Sequence, residues 1–106
     1  MAKGWDHTSR FIERCKHYLA NTPTRYAYYP AAEDTFKRFK EQYPDSEELG
    51  GVQHEGGLPW LVLQGVGTDD GEYALQNEPW CGIFSFIELE ATTAAEYLDA
   101  AVPFAN

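Results

Sequence analysis

Residues 60–89 read WLVLQGVGTDDGEYALQNEPWCGIFSFIEL. The run from Trp60 to Val66 is apolar, β-branched and too short for a helix of ordinary length, so it predicts a strand. Gly67-Thr68-Asp69-Asp70-Gly71 has the composition of a turn, and Glu72 to Leu75 is the expected second arm of a hairpin. Trp80 to Leu89 is the next strand candidate. Its apolar side chains do not alternate cleanly, which fits a central strand covered on both faces or a buried helical segment; the strand is preferred.

Outward from this stretch the pattern changes period. Phe11, Ile12, Cys15, Tyr18 and Leu19 fall on one face of a helix that Asp6, Thr8 or Ser9 could cap, with Trp5 packing back as a staple and Asn21-Thr22-Pro23 ending it. Pro30 and Ala31 open a second helix whose apolar face is Ala32, Phe36, Phe39 and Tyr43, and Pro44 stops it. Asp45 to Gly50 reads as a single capped turn closed by glycine. A last helix from Thr92 or Thr93 aligns Ala95, Leu98, Ala101 and Val102, with Pro103 at its end. The expectation is an α+β domain: two N-terminal helices, a small three-stranded antiparallel sheet and a C-terminal helix. One domain spans 1–106, with a basic helical part, 1–44, and an acidic sheet-plus-helix part, 45–106.

The chain has 106 residues, of which 43% are hydrophobic and 15% aromatic, enough apolar surface to exclude a disordered acidic tail. Cys15 and Cys81 form no metal knuckle or disulfide framework, which predicts a reduced compartment. The N-terminus lacks a signal-like apolar stretch, and the longest apolar run, Pro79 to Ile87, is about half a membrane span. A cytoplasmic protein with no membrane partner is expected.

The net charge of −9 conceals a partition. All eight Lys and Arg residues lie in the first 40 positions beside only four acids, a net +4, whereas residues 41–106 carry thirteen acids and no Lys or Arg, a net −13. Such asymmetry points to interaction surfaces of opposite preference.

Motifs for catalysis or cofactors fail on spacing. His54-Glu55 is followed by Gly56 and Gly57, with Leu58 where a zinc-binding helix would need its second histidine. Gly65-Val66-Gly67 has Asp70 in place of the third glycine of a dinucleotide fingerprint, and no phosphate-binding Lys-Ser/Thr follows. Asp69-Asp70-Gly71-Glu72 would place Val66 and Asn77 at the ends of a calcium loop, where charged ligands are needed. Cys15 falls on an apolar stripe, His7, His17 and His54 have no carboxylate relay, and Glu88 and Glu90 read as the polar edge of a sheet. The expectation is a non-enzyme with no cofactor and no metal.

Arg25-Tyr26-Ala27-Tyr28-Tyr29-Pro30 departs from ordinary loop chemistry. Tyrosines beside an arginine suit single-stranded nucleic acid, since every base has a face to stack on and each phosphate wants a cation; they also suit the seam between two helices. The candidate nucleic-acid-binding set is Arg10, Arg14, Lys16, Arg25, Tyr26, Tyr28, Tyr29, Lys37, Arg38 and Lys40. Four or five phosphates held by these cations would give a salt slope of about −3 to −3.5. The opposite reading uses the thirteen acids as a DNA-like surface for a basic nucleic-acid-binding protein.

A small, acidic, aromatic-rich, motif-free α+β domain resembles the phage and mobile-element inhibitors of bacterial defence, especially anti-CRISPR proteins acting on type I systems; nuclease immunity proteins are a second such group. The resemblance rests on whole-chain character and carries over no residue. It implies a non-catalytic inhibitor that blocks a CRISPR effector or similar nucleoprotein complex, either through a protein subunit or through the single-stranded DNA of an R-loop.

Overall fold

The strand expected at Trp60 lies at the centre of the sheet. The computed structural model describes residues 1–52 and 54–106, and in chain order holds α1 (Thr8–Ala20), α2 (Ala32–Gln42), β1 (Glu47–Leu49), β2 (Trp60–Leu63), α3 (Tyr73–Gln76), β3 (Ile83–Ser85) and α4 (Ala94–Ala105). The architecture is α+β. Leu61, Val62 and Leu63 are at most 2% exposed, so β2 needs ladder partners on both edges. It finds them in the order β1-β2-β3.

The pairing corrects two sequence expectations. β1 runs antiparallel to β2, with Glu48 opposite Leu61, but β3 runs parallel to it, with Val62 opposite Phe84, so the sheet is mixed rather than antiparallel. The residues read as the second arm of a hairpin form α3 instead. The two findings have one cause. Parallel neighbours require a crossover, and residues 64–82 supply it, with α3 as its helical turn. Tyr43, at the end of α2, fixes α3 in place: its hydroxyl donates to the Glu72 carboxylate and accepts the Ala74 N–H at 2.9 Å. Tertiary hydrogen bonding outweighs the weak strand propensity of Glu-Tyr-Ala-Leu. The segment Asp45–Gly50 contains β1 rather than only a capped turn, because the buried edge of β2 recruits it.

Of the long strand expected over Trp80–Leu89, only Ile83–Ser85 pairs with β2. Trp80 is left-handed, at φ 51°, which interrupts extended backbone before the strand begins. Beyond Ser85 the chain pairs with the N-terminus instead: the Met1 ammonium donates to Ile87 O at 2.7 Å, Leu89 N to Met1 O at 2.7 Å, and Lys3 N to Leu89 O at 2.8 Å.

The core joins α2 to the sheet through Phe36, Phe39, Tyr43, Leu61, Leu63 and Val66. The apolar face predicted for α2 is the one buried, although the helix begins one residue later, with Ala31 left-handed at φ 63°. α1 packs on β1 and β2 less deeply, and no residue of it is fully buried. Its contact stripe is Ile12, Cys15, Lys16 and Leu19, whereas Phe11 and Tyr18, expected in that stripe, are 45% and 60% exposed. His7 occupies the N-cap of α1 without a side-chain bond, and Trp5 packs against Phe11 at 6.1 Å. In α4 the Thr93 hydroxyl accepts from Glu96 N and the Glu96 carboxylate accepts from Thr93 N, a capping box, and the helix passes Pro103 to reach Ala105.

Candidate functional site

The segment 25–29 connects α1 to α2 across a broad groove. A backbone bridge between Tyr26 and Gly57, with Ala27 N donating to Gly56 O at 3.2 Å, ties the segment to the loop before β2. The Tyr26 ring meets His54 at 3.8 Å between centroids. From the other side, the crossover delivers Trp80 and β3 delivers Phe84. Arg25, Tyr26, Tyr28 and Tyr29 thus share one cavity of about 950 Å³ with Trp60, Trp80 and Phe84. The walls are aromatic and open to solvent: Tyr28 is 80% exposed and Trp80 is 55% exposed.

Specific contacts hold this wall in shape. Tyr29 and Trp80 meet at 5.0 Å with planes at 49°, and Trp60 meets Phe84 at 5.9 Å in an edge arrangement. The Trp60 indole donates to Thr22 O at 2.9 Å, which ties the base of the groove to the exit of α1. Gly82 and Gly50 lie against the Trp60 ring, and a Cβ on Gly82 would overlap it. The left-handed conformation of Trp80 costs a bulky residue about 1–3 kcal/mol, and it aims the indole at Tyr29 rather than into the core. Arg25 supplies one positive charge to the lining and Glu78 one negative charge, so the groove is close to neutral.

The predicted cations separate into two chemical groups. Every lysine is ion-paired: Lys3 with Glu90 at 2.5 Å, Lys16 with Glu47 at 2.5 Å, Lys37 with Glu33 at 3.4 Å, and Lys40 with Glu48. Three of these pairs join the basic N-terminal part to the acidic remainder. Among the described residues, none of Arg10, Arg14, Arg25 and Arg38 has a carboxylate within ion-pair distance. Arg10 and Arg14 line a separate shallow hollow on α1 with His7 and Phe11. Arg14 also lies over the Tyr18 ring at 5.2 Å and donates to its hydroxyl at 3.0 Å. Arg38 is exposed on α2. Of the ten predicted residues, Arg25 and the three tyrosines are assembled in the groove; the other six are distributed over α1 and α2.

Trp60, Trp80 and Phe84 were not among the predicted residues. Trp80 carries a readable signal, since a tryptophan after Gln-Asn-Glu-Pro is as unusual in a connection as the tyrosine cluster. Trp60 and Phe84 follow strand patterning and read as core. Elsewhere, burial pushes the Cys81 thiol above its ordinary range, which disfavours the reactive thiolate. Among the described residues no group of His, Cys, Asp and Glu could hold a metal ion, and no helix is long and apolar enough to cross a membrane. No family model matches the chain, and neither the curated proteins nor the solved structures contain a match.

Proposed function

We propose that the chain is a non-catalytic inhibitor of the anti-CRISPR kind, which acts in the cytoplasm of a bacterial host and blocks a nucleoprotein complex by holding exposed single-stranded DNA in its aromatic groove. The observation that carries this reading is the convergence of Arg25, Tyr26, Tyr28 and Tyr29 with Trp60, Trp80 and Phe84 around one open cavity. Single strands are retained by stacking on aromatic faces with a cation near the backbone, and they need no hydrogen-bond readout of the base edges. A duplex hides its base faces and gains little from such a surface. The near-neutral lining also removes the main objection to a polyanion on a protein of net charge −9, because stacking rather than charge supplies the affinity.

The test is fluorescence anisotropy with labelled single- and double-stranded oligonucleotides. Single strands should bind and duplex should not. Tyr28→Ala and Trp80→Ala should each weaken binding by about 5- to 150-fold, since one stacked base is worth ~1–3 kcal/mol. Inhibition is read on a type I surveillance complex bound to its target, where the chain should protect displaced-strand thymines from permanganate. Equal binding of duplex, or full affinity in both alanine variants, would overturn the proposal.

A further inference from the structure

α4 is apolar on two sides. One stripe, Tyr97, Ala100 and Ala101, is half-buried, and Phe104 at its end is exposed. The other contains Leu98 and Val102, one turn apart, which are 59% and 56% exposed. With Ala94, Ala95 and Ala105 they make a stripe about 100° wide, the width of a face that packs. An apolar surface this wide on a helix belongs in an interior, yet no residue of α4 is buried. The capping box at Thr93 and Glu96 stabilises the helix locally, so its persistence does not depend on packing alone.

The charges around the open stripe are of one sign. Residues 88–106 hold Glu88, Glu90, Glu96 and Asp99 and no Lys or Arg. Glu90 is engaged by Lys3 and Glu96 by the cap, which leaves Asp99 on the rim of the stripe and Glu88 before the helix. Two copies packed α4 against α4 would bring the same Asp99 against itself, and an anionic lipid surface would be repelled. A protein surface that offers an apolar groove or helix face edged by Lys and Arg satisfies both the stripe and the rim.

We propose that the Leu98–Val102 face of α4 docks on a basic amphipathic surface of a protein partner. This contact is independent of the aromatic groove, which no residue of α4 lines: the groove engages nucleic acid, and α4 engages protein.

The probes are two labelled synthetic peptides of about 18 residues, five helical turns, with a leucine face and a polar face made only of lysine or only of glutamate. The full chain should bind the Leu/Lys peptide and not the Leu/Glu peptide. Leu98→Gln with Val102→Gln should weaken binding at least tenfold, with an unchanged thermal melt because both positions are exposed. Asp99→Lys, which leaves the apolar stripe whole, should weaken it several-fold. Equal binding of both peptides, or a double variant that binds as the parent does, refutes the docking face. A concentration-dependent dimer in sedimentation, abolished by the double variant, would assign the face to a second copy and overturn the proposal. If the double variant fails to fold, full binding by Asp99→Lys refutes the charge argument on its own. Oligonucleotide anisotropy on the same variants should not change, which separates failure here from failure of the groove.

Discussion

Gly82→Ala tests the construction of the groove by the sign of its effect. Gly82 does not have a left-handed φ, so alanine is allowed there by the backbone. On backbone grounds alone the substitution should stabilise the protein by about 0.4–1 kcal/mol, through a less flexible unfolded chain. The surroundings demand the opposite. The new methyl would stand 2.6 Å from Trp60 Cζ3 and closer still to Cε3, where ordinary contact begins at 3.4 Å. Retreat of the ring is limited by the Gly50 backbone, whose own Cβ position is 3.2 Å from Trp60 Cδ1. The indole must therefore rotate and give up its hydrogen bond to Thr22 O. Overpacking costs about 1–3 kcal/mol and the lost bond about 1, which less the backbone gain leaves a net destabilisation of roughly 1–3.5 kcal/mol. In a chain of this size that lowers Tm by about 5–15 °C. Urea unfolding followed by tryptophan fluorescence measures it, and Gly71→Ala is the control, because nothing lies within 4 Å of a Cβ at that position. The displaced ring would also enter the groove and weaken oligonucleotide binding. A Gly82→Ala protein as stable as the parent or more so, with an unaltered near-UV circular dichroism spectrum, would refute the seating of Trp60.

The remaining predictions concern other parts of the molecule. Tyr43→Phe should cost about 1–3 kcal/mol, because the Glu72 carboxylate and the Ala74 N–H lose a shared partner; urea unfolding reports it. Burial first, and the bond to Glu72 second, raise the Tyr43 hydroxyl above its ordinary value of 10.0, so its share of stability is complete below that pH and is lost as pH rises through the folded value. The alkaline fall in stability should therefore be smaller in Tyr43→Phe. The hydroxyl and N–H of Thr92, with the N–H of Thr93, hold the Glu96 carboxyl below 4.5, so its contribution is present above that pH and disappears as acid protonates it in the folded state. Far-UV circular dichroism should show an acid loss of helix that Glu96→Gln lacks. Arg25→Ala should flatten the salt dependence of single-strand binding by about 0.7, one phosphate, with little effect on stability.

The parts of the fold legible in the sequence are those set by local pattern. The α2 face of Ala32, Phe36, Phe39 and Tyr43 is buried as its spacing implies, and β2 is the inaccessible strand that Trp60-Leu-Val-Leu suggests. What escaped depended on contacts between distant segments. The Asp-Asp-Gly turn carries a local hairpin signal, yet nothing local reveals that the Tyr43 hydroxyl will hold Glu72 and Ala74 in a helical turn. The site divides similarly. Arg25 to Tyr29 was readable because aromatic residues are conspicuous in a connection. Trp60 and Phe84 were not, since their place in the groove follows from the glycine seat at Gly82 and from a parallel pairing that places Phe84 beside Val62.

The charge partition has a different meaning once the ion pairs are known. Read along the chain, eight cations in the first 40 residues form a positive segment able to follow a phosphate backbone. In the folded protein, Lys3, Lys16 and Lys40 meet Glu90, Glu47 and Glu48, so much of the segment's charge is spent on its own acidic half. These contacts lie near the surface, where solvent screening leaves an ion pair little net stability, but a phosphate must displace a carboxylate to reach each of these lysines. The arginines remain, and of these Arg25 alone lines the groove. A strand held there should therefore show a slope nearer −0.7 than the −3 to −3.5 that four or five phosphates would give. Affinity that depends on the aromatic wall persists at high salt, whereas affinity that depends on the basic segment collapses. A salt titration that returned the steep slope would move the binding surface from the groove to the helices, to Arg10, Arg14 and Arg38 together with lysines released from their carboxylates.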